Sequence, residues 1–114
     1  MHGYQIKALW DILYEIHDLI RLQNWVQLKR IARITDDTIE EAKYEIDDYP
    51  GEITECPFDE FTDAVRVGRF DGVKADCIAQ FWFDNSESDL SMECIVEFSG
   101  REIKRITIEQ IHVF

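Results

Sequence analysis

The first third of the chain repeats apolar residues at helical spacing. Residues 4–20 carry an apolar side chain at every third or fourth position, which predicts a single long helix. The polar pair Gln23-Asn24 interrupts this pattern. The apolar positions that follow in residues 25–32 then predict a short second helix.

A third helix, predicted over residues 38–48, has one apolar side and one acidic side. Asp37 or Thr38 stands three positions before a glutamate, which is the capping-box pattern of a helix start. At about 100° per residue, one side of this helix is formed by Ile39, Ala42, Ile46 and Tyr49. Tyr44 falls on the other side. We expect its ring to be exposed, with carboxylates one turn away in either direction: Glu40, Glu41, Asp47 and Asp48.

The segment after this helix is predicted to be an extended connector, residues 49–63. Tyr49-Pro50-Gly51 ends the helix, because proline lacks the N–H that would continue it. Pro57 stands in the middle of the segment and argues against regular structure there.

From residue 64 onward the pattern changes to two-residue alternation, which predicts strands. A first strand in residues 65–70 and a second in residues 75–83 are joined by a hairpin at Asp71-Gly72. The second strand is apolar at successive positions, which predicts that both of its faces are covered. A polar loop at residues 85–89 leads to a third strand in residues 90–98.

The last strand changes the parity of its apolar residues. Ile106 and Ile108 fall on one face, and Ile111 and Val113 fall on the other. A bulge near Glu109-Gln110 would return all four to one face and would bend the strand.

These elements predict an α+β fold in a single domain, residues 1–114. Two or three N-terminal helices (about residues 4–48) pack on a curved, four-stranded antiparallel meander (residues 64–114), with the connector between them. Cystatin-like and NTF2-like cones have this general shape. With 46% hydrophobic residues, the chain can bury a core without disulfides or a metal.

Charge singles out one stretch. The net charge is −12, and residues 36–63 contain twelve of the 24 acidic residues and a single cation, Lys43. Such a block is either a solvated face or a surface that meets a basic partner. As a partner-binding surface, it would use Asp36, Asp37, Glu40, Glu41, Tyr44, Asp47, Asp48, Glu52, Glu55, Asp59 and Glu60.

The acidic net charge indicates the class of partner, and the cysteines and the lack of a targeting pattern indicate the compartment. Nucleic acid and anionic membranes bind through Lys and Arg, so neither is expected as a direct partner. The three cysteines, Cys56, Cys77 and Cys94, have no C-x-x-C spacing and cannot all pair internally. We see no signal peptide or long apolar run, and we expect a cytoplasmic protein.

No sequence motif for catalysis is present. The chain lacks a Gly-rich phosphate loop, a G-x-S-x-G and an H-E-x-x-H. His17 has no second ligand at metal spacing. An enzyme would need scattered strand residues, His112, Gln80 and Arg105 with Asp76 or Glu109, and a structural role for His112 is favoured. We therefore predict no catalytic residue, no cofactor and no metal.

Three short motifs resemble a bacterial domain family of unknown function. They are Asp48-Tyr49-Pro50-Gly51, Ser88-Asp89-Leu90-Ser91-Met92-Glu93 and Ile111-His112-Val113-Phe114. The resemblance spans about residues 24–114 and departs from the family pattern at Cys56-Pro57. It implies a fold and no activity.

By type, a small acidic α+β chain without a catalytic constellation is similar to the immunity proteins of bacterial toxin systems, including those of contact-dependent growth inhibition. This similarity implies a protein that binds and neutralises a basic toxin domain, with a nuclease as the favoured target. An alternative is a cone-shaped domain that binds or transforms a small molecule in a pocket lined by Trp10, Trp82 and Phe83. The chain is expected to be a monomer, or a homodimer if the second strand's outer apolar face needs cover.

Overall fold

A computed structural model describes residues 3–113, with the backbone alone at residue 64. Four helices are present within residues 3–113: α1 (Gly3–Arg21), α2 (Trp25–Ile31), α3 (Asp36–Asp48) and α4 (Phe58–Ala64). Five strands are present in the described residues: β1 (Ile53–Thr54), β2 (Arg66–Phe70), β3 (Lys74–Phe83), β4 (Ser86–Ser99) and β5 (Glu102–Val113). The class is α+β, as expected, with N-terminal helices packed on an open antiparallel sheet.

The sheet has five strands where four were expected. β3, β4 and β5 form a meander, and β1 and β2 both pair with the other edge of β3. β1 lies opposite Trp82 and Phe83, whereas β2 lies opposite the first half of β3. The extra strand is β1, two residues of the predicted connector. Pairing of so short a segment depends on the neighbouring strand, because two residues carry no periodicity.

The first and third helices form as their patterns predict. Leu9, Leu13, Ile16 and Ile20 of α1 are fully buried. α3 begins two residues earlier than expected, because Thr35 is the N-cap and its hydroxyl accepts a hydrogen bond from the Thr38 N–H at 3.1 Å.

α4 was not predicted, and the extended connector is wrong over the first six of its seven residues, 58–63. Pro57 precedes the helix instead of breaking it, a position where its missing N–H costs nothing. Phe61 is 1% exposed, and its ring centroid lies 5.1 Å from those of Tyr14 and His17 on α1. Packing against α1 therefore stabilises a helix too short to be stable alone.

β3 is buried on only one face, contrary to the prediction. Alternate residues from Ala75 to Phe83 point to the helices and are buried. The opposite face carries Asp76, Ile78, Gln80 and Trp82 and is exposed or half-buried. A homodimer that covers this face stays a prediction.

The turn before β4 is shorter than predicted. Asp84 and Asn85, with φ of 51° and 62°, form a two-residue turn, and β4 begins at Ser86 inside the predicted polar loop. From Leu90 onward its apolar residues alternate as expected.

The predicted bulge in β5 is confirmed. Glu93 pairs with Gln110 and Cys94 with Ile108, so Glu109 is the extra residue. Ile106, Ile108 and Ile111 are buried on the helix side, as expected. Val113 lies on that face opposite Leu90 but stays 43% exposed at the strand end.

The outer edge of β5 is covered by the segment between α2 and α3. Arg33 N–H donates to the Ile106 carbonyl at 2.7 Å, and Ile108 N–H donates to the Arg33 carbonyl at 2.8 Å. Backbone groups there are therefore not free to pair with another chain. Within residues 3–113, no helix has the length and apolar character needed to cross a membrane.

Candidate partner-binding surface

The acidic face of α3 forms the first part of the predicted surface. Tyr44 is 65% exposed, as expected. Asp37, Asp47 and Asp48 are exposed and form no ion pair with any residue between 3 and 113. The helix is held on the protein by its other side, where Ile39, Ala42 and Ile46 are buried.

Three carboxylates of α3 already have partners within the chain. Asp36 pairs with Lys29 at 2.6 Å, and the hydrogen bond and charge of this lysine lower the pKa of Asp36. Glu40 pairs with Lys43 at 3.3 Å. Glu41 Oε1 accepts the Ile111 N–H of β5 at 3.0 Å, so this side chain fastens the helix to the sheet.

The remaining predicted residues lie at the opposite edge of the sheet. α3 packs on β5, whereas Glu52 and Glu55 flank β1, which pairs with β3. Glu55 accepts a hydrogen bond from the Tyr14 hydroxyl at 3.4 Å. Asp59 and Glu60 are exposed in the first turn of α4. The acidic stretch is therefore divided between two regions of the molecule.

At this second region the structure forms a groove of about 640 Å³. Trp82 of β3 lies in its wall, and Glu87 is its direct neighbour on β4. Directly paired residues of adjacent strands project from the same face, so Glu87 lies beside the indole. The groove is lined by Glu55, Pro57, Glu60, Asp63, Arg66, Trp82, Asn85, Ser86 and Glu87.

Sequence reasoning did not identify Asp63, Arg66 or Glu87 as part of a site. It also placed Trp82 in a pocket with Phe83, which is wrong. The two are adjacent in a strand and point to opposite faces, and Phe83 belongs to the core. The pairing of Trp82 with Glu87 depends on an irregular register between β3 and β4, for which the sequence contains no signal.

The three short motifs noted in the sequence, at residues 48–51, 88–93 and 111–114, lie near one another at the end of the sheet, as far as residue 113. The Tyr49 hydroxyl donates to Asp89 Oδ1 at 2.6 Å, and this hydrogen bond raises the pKa of Tyr49. The Tyr49 ring packs on Phe83 at 4.3 Å between centroids. In the same region Ser91 of β4 is paired with His112 of β5. The two Tyr49 contacts therefore join the end of α3 to β3 and β4.

The scattered residues considered for catalysis are only partly brought together. Gln80, Ser91 and His112 form one row across β3, β4 and β5. Arg105 is engaged with Glu97 at 3.4 Å, Asp76 is paired with Ile95, and Glu109 is the bulge residue. Among residues 3–113, no group of three or more His, Cys, Asp or Glu is placed to hold a metal.

Buried histidine and cysteine side chains are held in their neutral forms. His17 is 1% exposed, and burial lowers its pKa to about 4. Burial raises the pKa of Cys56 to about 11 and that of Cys77 to about 12, and it raises the pKa of Cys94 as well. Thiols with raised pKa values are poor nucleophiles near neutral pH.

The fold and these contacts define a small α+β domain whose helices cover one face of an open antiparallel sheet. A family model described as a domain of unknown function (DUF7668) matches residues 17–114, and the chain belongs to this family. A search of curated proteins and a search of solved structures each found no match.

Proposed function

We propose that this protein is a cytoplasmic inhibitor of the immunity type, which binds a basic protein partner through the carboxylates of residues 36–63. The favoured partner is a toxin domain with nuclease activity, whose phosphate-binding cations the carboxylates would face. Bound in this way, the inhibitor would block the nuclease cleft.

The observation that carries the proposal is the scarcity of internal partners for this charge. Twelve acidic residues lie in the stretch, and only Asp36 and Glu40 form ion pairs in the described part of the chain. Like charges at this density repel one another in the free protein, and a cationic partner relieves that repulsion. Exposed Tyr44 adds an aromatic side chain of the type that is enriched at interface hot spots.

Charge of this kind acts mainly on the rate of encounter. Complementary potentials raise association rates by steering, and the effect weakens as salt screens it. A rim charge therefore changes the association rate more than the dissociation rate.

The test first looks in the neighbouring reading frame for a basic toxin-like domain, and then measures the association rate of such a domain with this protein by stopped flow. We expect the rate to fall steeply between low salt and about 0.15 M ionic strength. Asp47→Lys with Asp48→Lys should slow association by about tenfold at low salt.

The matched control is Asp76→Lys with Glu102→Lys, which makes the same change of charge at exposed positions outside the stretch. It should slow association much less. An association rate that is flat with salt, or equally sensitive to both double variants, would contradict an acidic binding surface.

The alternative function is that of a cystatin-like or NTF2-like cone, as a small-molecule-binding or enzymatic domain. The bulge at Glu109, which bends β5, supports a curved sheet. A small-molecule screen by thermal shift tests it, and a ligand that raises the melting temperature in a saturable way would favour this alternative.

A further inference from the structure

The sheet has one covered edge and one open edge. At β5, backbone groups pair with Arg33 in the segment between α2 and α3. On the other side of the sheet, β2 pairs with β3 and with no further strand in the described part of the chain. The first four residues of β2 are exposed: Arg66, Val67, Gly68 and Arg69. The outward backbone groups of β2 are therefore available to another strand.

The centre of β2 allows a second backbone to approach. Gly68 has no side chain, and a Cβ placed there would lie 3.9 Å or more from its surroundings. Glycine inside a strand often marks a place where another backbone comes close. Val67, the preceding residue, is 42% exposed, so a neighbouring strand would cover apolar surface. The register against β3 shifts between Val67 and Phe70, and such a bulge leaves one residue of β2 outside the regular pairing.

Cations mark the hairpin end of this edge. Residues 66–74 contain three cations and one carboxylate, on a chain whose net charge is −12. Arg69 is exposed and forms no ion pair with a residue that the structure describes. Lys74 is exposed too, and it shares Glu97 with Arg105.

Carboxylates mark the opposite end, where α4 leads into β2. Asp59, Glu60 and Asp63 are exposed and form no ion pair with any residue between 3 and 113. Arg66 lies between the two ends and lines the groove together with Glu60 and Asp63. A single edge thus has an acidic end and a basic end. Two copies of this edge are complementary when they run antiparallel, because the acidic end of each then lies beside the basic end of the other.

We propose that β2 pairs antiparallel with β2 of a second copy of this chain, about a twofold axis near Gly68. Backbone hydrogen bonds then join the two sheets into one continuous sheet. The cations of each hairpin face the α4 carboxylates of the other copy. Such a contact uses the same patch on both copies and is closed by its own symmetry. Because the β5 edge is already covered by Arg33, association stops at two copies.

This dimer goes beyond the proposed function and is compatible with it. α3 packs on β5, at the far edge of the sheet from β2, so Tyr44 and the α3 carboxylates stay exposed in the dimer. Asp59 and Glu60 of the acidic stretch would belong to the contact between copies instead.

Sedimentation velocity of the full chain across the micromolar range tests the pairing, and we expect a dimer that dissociates on dilution. An exchange of charges then locates the contact. Arg69→Glu with Lys74→Glu makes the hairpin end acidic, whereas Glu60→Lys with Asp63→Lys makes the α4 end basic. Each double variant alone sets like charges against each other, so we expect its dimer to be weaker by about tenfold or more. An equimolar mixture of the two restores opposite charges at both ends and should dimerise as the parent does.

The matched control is Asp47→Lys with Asp48→Lys, which makes the same change of charge on α3. Both lysine variants reduce the net negative charge, and with it the general repulsion between copies. The control should therefore dimerise at least as well as the parent, and a weaker dimer in the α4 variant alone reports the local contact. Hydrogen exchange gives a second measurement, since the amides of β2 should become protected as the concentration rises. Thermal unfolding of each variant checks that its fold is kept.

Three results would overturn the pairing: a chain that stays monomeric throughout the range, association that continues beyond two copies, or a dimer that neither charge variant weakens. The last result would favour a contact through the open face of the sheet instead. None of them would affect the salt dependence of partner association, which tests the proposed function by itself. The dimer would likewise stand if that salt dependence were absent.

Discussion

The imidazole of His17 is stacked on the ring of Phe81, with the two centroids 4.5 Å apart. Its Nε2 lies 2.9 Å from the carbonyl oxygen of Gln80 on the same strand. α1 is thus joined to β3 by one polar side chain within an apolar layer. Since the ring is buried, its protonation is linked to folding.

We expect the free energy of unfolding to fall as the pH is lowered from about 6.5 toward 4. Burial lowers the pKa of His17 from its ordinary 6.5 to about 4 in the folded protein. The unfolded chain therefore takes up a proton at a pH where the folded protein does not, which favours unfolding. The loss amounts to about 3 kcal/mol below the folded pKa, measured by urea unfolding across this pH range.

The control for this effect is His17→Gln, which removes the titrating group and keeps a side-chain N–H for the Gln80 carbonyl. Carboxylate titration is shared by both proteins, so the difference between their pH profiles isolates His17. Parallel profiles would show that another group causes the acid sensitivity.

Removal of the Tyr49 hydroxyl should destabilise the protein by about 1 kcal/mol, because the ring stays on Phe83 while the bond to Asp89 is lost. Thermal unfolding of Tyr49→Phe measures this. Tyr44→Phe removes the same hydroxyl from an exposed ring and should lie within about 0.5 kcal/mol of the parent. Equal effects of the two variants would show that the Tyr49–Asp89 contact does not stabilise the fold.

Glu41 should behave as a structural residue, unlike the other acids of its helix face. Glu41→Ala removes the acceptor of the Ile111 N–H and should cost about 1 kcal/mol of stability by chemical denaturation. Asp47→Ala, on the same helix and without an ion pair among the described residues, should cost less than about 0.5 kcal/mol. If Glu41→Ala were as stable as the parent, the hydrogen bond to Ile111 would not stabilise the fold, and the Glu41 carboxylate could instead serve a partner.

Tyr44→Ala should separate binding from stability. The side chain is 65% exposed, so truncation should leave the free energy of unfolding within about 0.5 kcal/mol. Under the proposed function it should weaken partner binding by about 2 kcal/mol or more, mainly through faster dissociation. Isothermal titration with the partner measures the change in binding, and urea unfolding measures the change in stability. If Tyr44→Ala unfolded at a clearly lower urea concentration than the parent, the ring would be part of the core instead.

Local patterns in the sequence predicted the elements whose residues repeat regularly. α1 and α3 follow from apolar spacing along a helix, and β4 follows from strict alternation. The bulge at Glu109 was visible too, because a change in parity is itself a local signal. The exposure of Tyr44 followed in the same way from its position opposite the apolar side of α3.

Elements and sites that depend on contacts between residues far apart in the sequence could be seen only in the tertiary structure. α4 exists because Phe61 packs against α1, and β1 exists because β3 offers it an edge. The acidic stretch, continuous along the chain, is divided because α3 lies on β5 while α4 lies beside β3. The groove is likewise a product of register, which brings Glu87 next to Trp82. Pairing between strands is set by the packing of the whole sheet, and no residue's immediate sequence neighbours contain that information.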